Sequence, residues 1–116
     1  MRYLITPIPK PRQTRSDKWK KRPCVLRYRS FADDCRSLGI KIENGCSVVF
    51  EMPMPKSWSK KKKTKMNGQP HTQKPDIDNL LKSIMDAVLP EDSHIHNVYI
   101  KKRWAETGCI EINNLS

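Results

Sequence analysis

Proline placement constrains this chain more than any other feature. Nine prolines are spread over 116 residues. Each removes an N–H donor and fixes φ, so helices and strands must begin or end beside them. Residues 2–8 read as a short strand that runs into Pro7 and Pro9. Residues 46–52 (CSVVFEM) suit a buried strand, closed by Pro53 and Pro55. Pro75 cannot lie inside a helix, so a helix starts just after it, and Pro90 closes it. Between them Leu81, Ile84, Met85 and Val88 share one face, which predicts a helix over 77–88.

The other elements follow from capping and periodicity. Ser30 reads as a helix N-cap with Asp33 in an S-x-x-D box. Phe31, Cys35, Leu38 and Ile42 then give one apolar face, and Gly45 sits where that helix would stop. Residues 94–104 and 108–113 read as two strands joined by a tight turn near Glu106–Gly108, with Val98, Ile100, Ile110 and Ile112 supplying the alternation. Residues 9–29 form a basic, irregular arm, and residues 53–75 a long loop rich in Lys and Pro. The expectation is a single domain over 1–116 of mixed α/β (α+β) class, with two helices packed on one small mixed sheet.

Charge narrows the partners. The formal net charge is +11, from 23 Lys+Arg and 12 Asp+Glu. A field of that sign attracts polyanions, nucleic acid before an anionic membrane. No apolar run is long enough to cross a bilayer, and the N-terminus is too proline-rich for a signal peptide. Cys24, Cys35, Cys46 and Cys109 form no CxxC pair and, with His71, His94 and His96, no zinc-finger spacing. They read as reduced thiols of a cytoplasmic protein. A domain this small has little room for a large small-molecule cofactor.

The charges are also segregated. Residues 1–29 hold ten basic residues and one acid, and residues 56–74 hold seven lysines and no acid. Five of the twelve carboxylates crowd into 76–92: Asp76, Asp78, Asp86, Glu91 and Asp92. Asp76 and Asp78 fall at a helix start, where they could cap free N–H groups and complement the dipole. Asp78, Lys82 and Asp86, at spacings of four, could be a solvated salt-bridge ladder. The alternative is a Mg²⁺ site. Mg²⁺ takes one or two carboxylates with water and phosphate oxygens, and Asp76, Asp78 and Asp92 could supply three. Such a metal activates water and neutralises charge on a phosphate, and Lys82, one turn away, could stabilise the transition state. A cation would also explain why acids cluster on a surface that otherwise attracts anions.

The stretch KPDIDNLLKSIMDAV resembles the motif of RusA-type Holliday junction resolvases, in which D-x-D-N is followed by Lys and then by Asp-Ala-hydrophobic. Glu91-Asp92-Ser93-His94-Ile95 resembles the family's acidic pair before its next strand, and PKSWSKKKKTKMNGQPHTQ resembles the phage-borne branch. The resemblance implies that Asp76, Asp78 and Asp92 bind metal and act in catalysis, and that Lys82 is the catalytic lysine. It also implies Mg²⁺-dependent cleavage (Mn²⁺ as substitute) of four-way DNA junctions by a homodimer. Asn79, Asp86 and Glu91 are supporting residues. The acidic pair is Glu-Asp where the family commonly has Asp-Asp, the connection Leu89-Pro90 is short, and Glu91 is an alternative third ligand.

Basic residues flank each tryptophan, as in Lys18-Trp19-Lys20, Lys56-Ser57-Trp58-Ser59-Lys60 and Arg103-Trp104. Trp104 reads as core and Trp58 as a candidate for stacking on unpaired bases. Arg12, Arg15, Lys18, Lys20 and Lys21 in the arm, with Lys60, Lys61, Lys62, Lys63 and Lys74 in the loop, are the candidate DNA contacts. By default the four consecutive lysines are a solvated flexible loop. His94 and His96 alternate on a strand and read as structural or surface residues. The rival readings are a non-catalytic nucleic-acid-binding module, a hydrolase acting on flaps or RNA, and a structural phage-particle or scaffold protein.

Overall fold

A computed structural model of the chain describes residues 1–11 and 23–114. Its elements are β1 (Arg2–Tyr3), α1 (Pro23–Ser37), β2 (Cys46–Pro53), α2 (Lys60–Met66), α3 (Ile77–Val88), β3 (Val98–Ala105) and β4 (Cys109–Asn114). The architecture is one mixed four-stranded sheet, in the order β1-β4-β2-β3, with helices on one face. The class is the expected one, with α2 as a third helix.

Strand β2 forms the centre of the sheet. It pairs parallel with β3 (Cys46 opposite Val98, Met52 opposite Trp104) and antiparallel with β4 (Val48 opposite Ile112, Phe50 opposite Ile110). Strands β3 and β4 are therefore not the hairpin that their short connection suggested. The link from Glu106 to Gly108 steps across the end of β2, and Pro53 ends β2 there because it cannot continue the ladder. Gly108 permits the crossing, since a Cβ would stand 2.4–2.8 Å from Thr6. Strand β1 is only two residues long, pairing Arg2 with Glu111 and Tyr3 with Ile110. The expected strand over 2–8 ends at Tyr3, where the chain turns and Ile5 N–H donates back to Tyr3 O at 2.8 Å.

Alternation sorts the two faces of β2. Cys46, Val48, Phe50 and Met52 are buried under α1 and α3 with Ile110. On the opposite face the Glu51 carboxylate is 8% exposed and is held by Arg2 and by Arg103, the latter at 3.5 Å. Glu111 completes this cluster, 3.4 Å from Arg2 and 3.5 Å from Arg103.

Helix α1 begins at Pro23, not Ser30. A first helical residue needs no N–H, so proline fits there, and the expected irregular arm is helical from that point. Asp33 pairs with Arg36 at 2.5 Å and does not close a box with Ser30. Phe31, Ala32 and Cys35 are buried, whereas Leu38 is exposed and Ile42 is buried beyond the helix. The stop is Gly39, not Gly45. Gly39 takes φ 71°, with Ile40 N–H donating to Cys35 O at 3.2 Å and Gly39 N–H to Arg36 O at 3.1 Å, a Schellman ending.

Helix α3 keeps the boundaries read from Pro75 and Pro90. Its buried line runs through Leu80, Ser83, Ile84 and Ala87, with Leu81, Met85 and Val88 on the half-buried flanks. Polar contacts fix it against its neighbours. Ser83 Oγ donates to Ile8 O at 2.6 Å, Tyr28 OH to Ser83 O at 3.0 Å, and Arg36 Nη1 to Ala87 O at 3.0 Å. Arg36 thereby sits at the negative end of α3. All four cysteines are free, three of them buried, and burial pushes the Cys35 thiol up to about 12. Among the described residues no helix is long and apolar enough to cross a membrane.

Candidate active site

The first turn of α3 opens onto a concavity of about 460 Å³, lined by His71, Gln73, Lys74, Asp76, Asp78 and Lys102 among others. Asp76 is the N-cap residue, and its main-chain carbonyl accepts the first helical bond from Leu80 N–H at 3.1 Å. Its carboxylate caps nothing and makes no hydrogen bond or ion pair with a described residue. Asp78 Oδ1 accepts from Asn79 N–H at 2.9 Å, which occupies one oxygen. Both side chains are exposed. A capping role therefore accounts for part of Asp78 and none of Asp76.

The remaining acids stand apart from this pair. Helix α3 spans 12 residues, about 18 Å. At its far end Asp86 forms an ion pair with Lys10 and lies 3.7 Å from Lys82. Lys10 is held charged above its ordinary range, first by the Asp86 hydrogen bond and more weakly by the charge of Asp92. Asp92 is half-buried and does not line the concavity. Glu91 is exposed, and the Ser93 N–H at 3.1 Å draws its carboxyl below the usual range. Among the described residues no three His, Cys, Asp or Glu side chains are grouped to hold a metal ion. Lys82 is 60% exposed and only loosely paired. His94 and His96 are exposed and precede β3 instead of lying on it.

The lysine stretch is not a loop. Lys60–Met66 is helix α2, started by Ser59, whose side chain accepts from Lys62 N–H at 3.2 Å. Lys63 and Lys65 fall in the last turn, where the dipole favours cations. No α2 residue is buried, so its ammonium groups are presented to solvent. Lys62 Nζ lies 4.2 Å over the Trp58 ring. Trp58 is half-buried and packs on the buried Trp104, with ring centroids 4.7 Å apart, and His71 packs on Trp104 at 4.2 Å. A continuous line of tilted ring contacts thus joins the lysine helix to the concavity. Arg12, Arg15, Lys18, Trp19, Lys20 and Lys21 lie outside the described residues. Lys74 is exposed at the rim of the concavity.

A family model described as endodeoxyribonuclease RusA matches residues 5–113. The chain belongs to the RusA family. The match covers every element from α1 to β4, so the nuclease assignment attaches to the whole fold and not to the D-x-D stretch alone. Searches of curated proteins and of solved structures each returned no match.

Three polar residues of this RusA-family chain escaped sequence reasoning. Lys10 pairs with an acid 76 positions away, which no local pattern announces. Lys102 carried a signal, because it is in phase with Val98, Ile100 and Trp104 on the inward side of β3, where a charge needs partners. His71 is buried, and its Nδ1 has no hydrogen-bond partner among the described residues. Burial, then the Lys102 charge, push its pKa below the ordinary 6.5. The folded state thus resists a proton that the unfolded chain accepts. This contribution to stability is full above about pH 6.5 and declines as the pH falls below it. The thermal midpoint should drop between about pH 7 and about pH 5. His71→Gln should flatten that drop, and an identical pH profile in the variant would contradict the assignment.

Proposed function

We propose that this chain is a divalent-metal-dependent endonuclease that resolves four-way DNA junctions as a homodimer. The observation that supports it is the Asp76–Asp78 pair, two exposed carboxylates that form no ion pair with a described residue, in a concavity of a chain whose net charge is +11. Free hard oxygens on a helix start suit Mg²⁺ or Mn²⁺, which complete their shell with water and phosphate oxygens. Asp76 and Asp78 would hold the ion; the family's pattern adds Asp92, or Glu91 beside it, as third ligand, although both stand outside the concavity here. The ion, when bound, would activate water and neutralise charge on the scissile phosphate.

The chain's own residues would do the rest. Lys82, largely free on the same side of α3 as Asp78, would stabilise negative charge developing on the phosphate. Asn79 and Asp86 would support the helix face. Lys60, Lys61, Lys62, Lys63 and Lys74 would neutralise flanking phosphates, with the arm residues Arg12, Arg15, Lys18, Lys20 and Lys21 gripping a second duplex. A junction needs one cut in each of two symmetry-related strands, so a two-fold dimer would bring one carboxylate pair to each.

Metal removal tests the reading. Excess chelator should abolish junction cleavage, added Mg²⁺ or Mn²⁺ should restore it, and the gel-shift affinity for the junction should persist throughout. Full cutting in chelator would rule out the metal. Tight binding with no cutting under any metal would favour a non-catalytic binding module.

A further inference from the structure

Residues 68–71 are stitched to the exposed edge of β3. Gly68 N–H donates to Trp104 O at 2.9 Å, Trp104 N–H to Gln69 O at 2.9 Å, and His71 N–H to Lys102 O at 3.1 Å. Main-chain pairing stops there, and a side chain takes over. Lys102 Nζ donates to Gln73 O at 2.6 Å and to Pro75 O at 2.7 Å. Those two carbonyls flank Lys74 and lead directly into Asp76, the N-cap of α3. Lys102 sits opposite Phe50, on the inward phase of its strand, and lines the same concavity as Asp76 and Asp78.

The geometry points to Lys102 as a positioning residue for the Asp76–Asp78 pair. Its ammonium clamps the backbone of 73–75 and so fixes where α3 begins and where its two carboxylates stand. Charge-assisted hydrogen bonds are about twice as strong as neutral ones, and a lysine has three donors, of which this clamp uses two. The arrangement also answers a chemical difficulty. A free ammonium beside two carboxylates would pair with them and compete with a cation. Tied to two carbonyls, Lys102 makes no ion pair with either aspartate. The catalytic consequence rests on the metal-nuclease reading above, but the clamp itself does not.

The two effects of Lys102 on a cation have opposite signs, which makes the test decisive. Its positive charge disfavours a metal, whereas its clamp organises the ligands. The full chain is compared with Lys102→Met, Lys102→Gln and Lys102→Arg by Mn²⁺ calorimetry, amide exchange over residues 71–80 and junction cleavage. In Lys102→Met, Mn²⁺ affinity should fall about tenfold, the worth of one charged hydrogen bond. Exchange should quicken across 73–80, and cleavage should fall by a similar factor. Lys102→Arg, whose fork also reaches two acceptors, should recover all three. If Lys102→Met shows no cooperative melt, Lys102→Gln replaces it in the same comparison. Equal or tighter Mn²⁺ binding, or unchanged exchange, would overturn the proposal. If the wild-type chain neither binds Mn²⁺ nor cuts, the metal-nuclease reading fails. Exchange alone then decides the clamp, faster supporting it and unchanged overturning it.

Discussion

Asp78→Asn should lower the single-turnover rate of junction cleavage about a thousandfold, the equivalent of roughly 4 kcal/mol of transition-state stabilisation. Asp76→Asn should do the same. Both substitutions keep shape and remove a negative ligand. Neither should unfold the protein, because Asn caps a helix about as well as Asp and the Asp76 carboxylate caps nothing here. The thermal midpoint therefore serves as the internal control. Junction affinity should hold or rise, since a negative charge near phosphate has gone. Lys82→Ala should separate the two halves of the chemistry: Mn²⁺ still binds, yet cutting falls. Near wild-type cleavage by Asp78→Asn would mean that the first turn of α3 is only a solvated helix end.

Replacing Lys60, Lys61, Lys62 and Lys63 together with Gln should weaken junction binding on the order of a hundredfold near physiological salt. It should also flatten the salt dependence. Each phosphate neutralised contributes about −0.9 to the log–log slope on duplex arms, so up to four lost contacts would make it shallower by as much as about 3.6. Lys62→Gln also removes the amine over the Trp58 ring, a contact within the protein worth about 0.5–1 kcal/mol at an exposed site, which lowers folded-state stability and not DNA affinity. The helix should survive in part, because its Ser59 cap is retained. A slope that does not change would mean that the exposed face of α2 does not meet DNA.

The legible parts of this protein were the local ones. Helix α3 was readable end to end, because Pro75 and Pro90 bracket one apolar period. Asp76 and Asp78 were readable for the same reason, being two residues apart on one helix turn. Strand β2 was equally plain as an apolar run closed by Pro53. Helix α1 was less so. Its first two turns, from Pro23 to Ser30, carry mostly exposed or half-buried residues, and only Phe31, Ala32 and Cys35 reach the core.

Non-local pairing was out of reach. A three-residue link after β3 suggests a hairpin, and nothing in residues 98–114 says that β2 lies between the two strands. The site divides along the same line. Asp92 depends on the path of residues 89–97, so sequence could name it without placing it, and here it stands toward Lys10 and Asp86. Lys102 was visible only to someone who asked why a lysine shares a strand phase with Val98, Ile100 and Trp104.

The most direct test of the central claim is single-turnover cleavage of a synthetic four-way junction beside a linear duplex of the same sequence, each with Mg²⁺ and with chelator. The account predicts paired, symmetry-related cuts in the junction with Mg²⁺, an intact duplex, and no cutting of either in chelator. Equal cutting of duplex and junction, or junction cutting that persists in chelator, would contradict it.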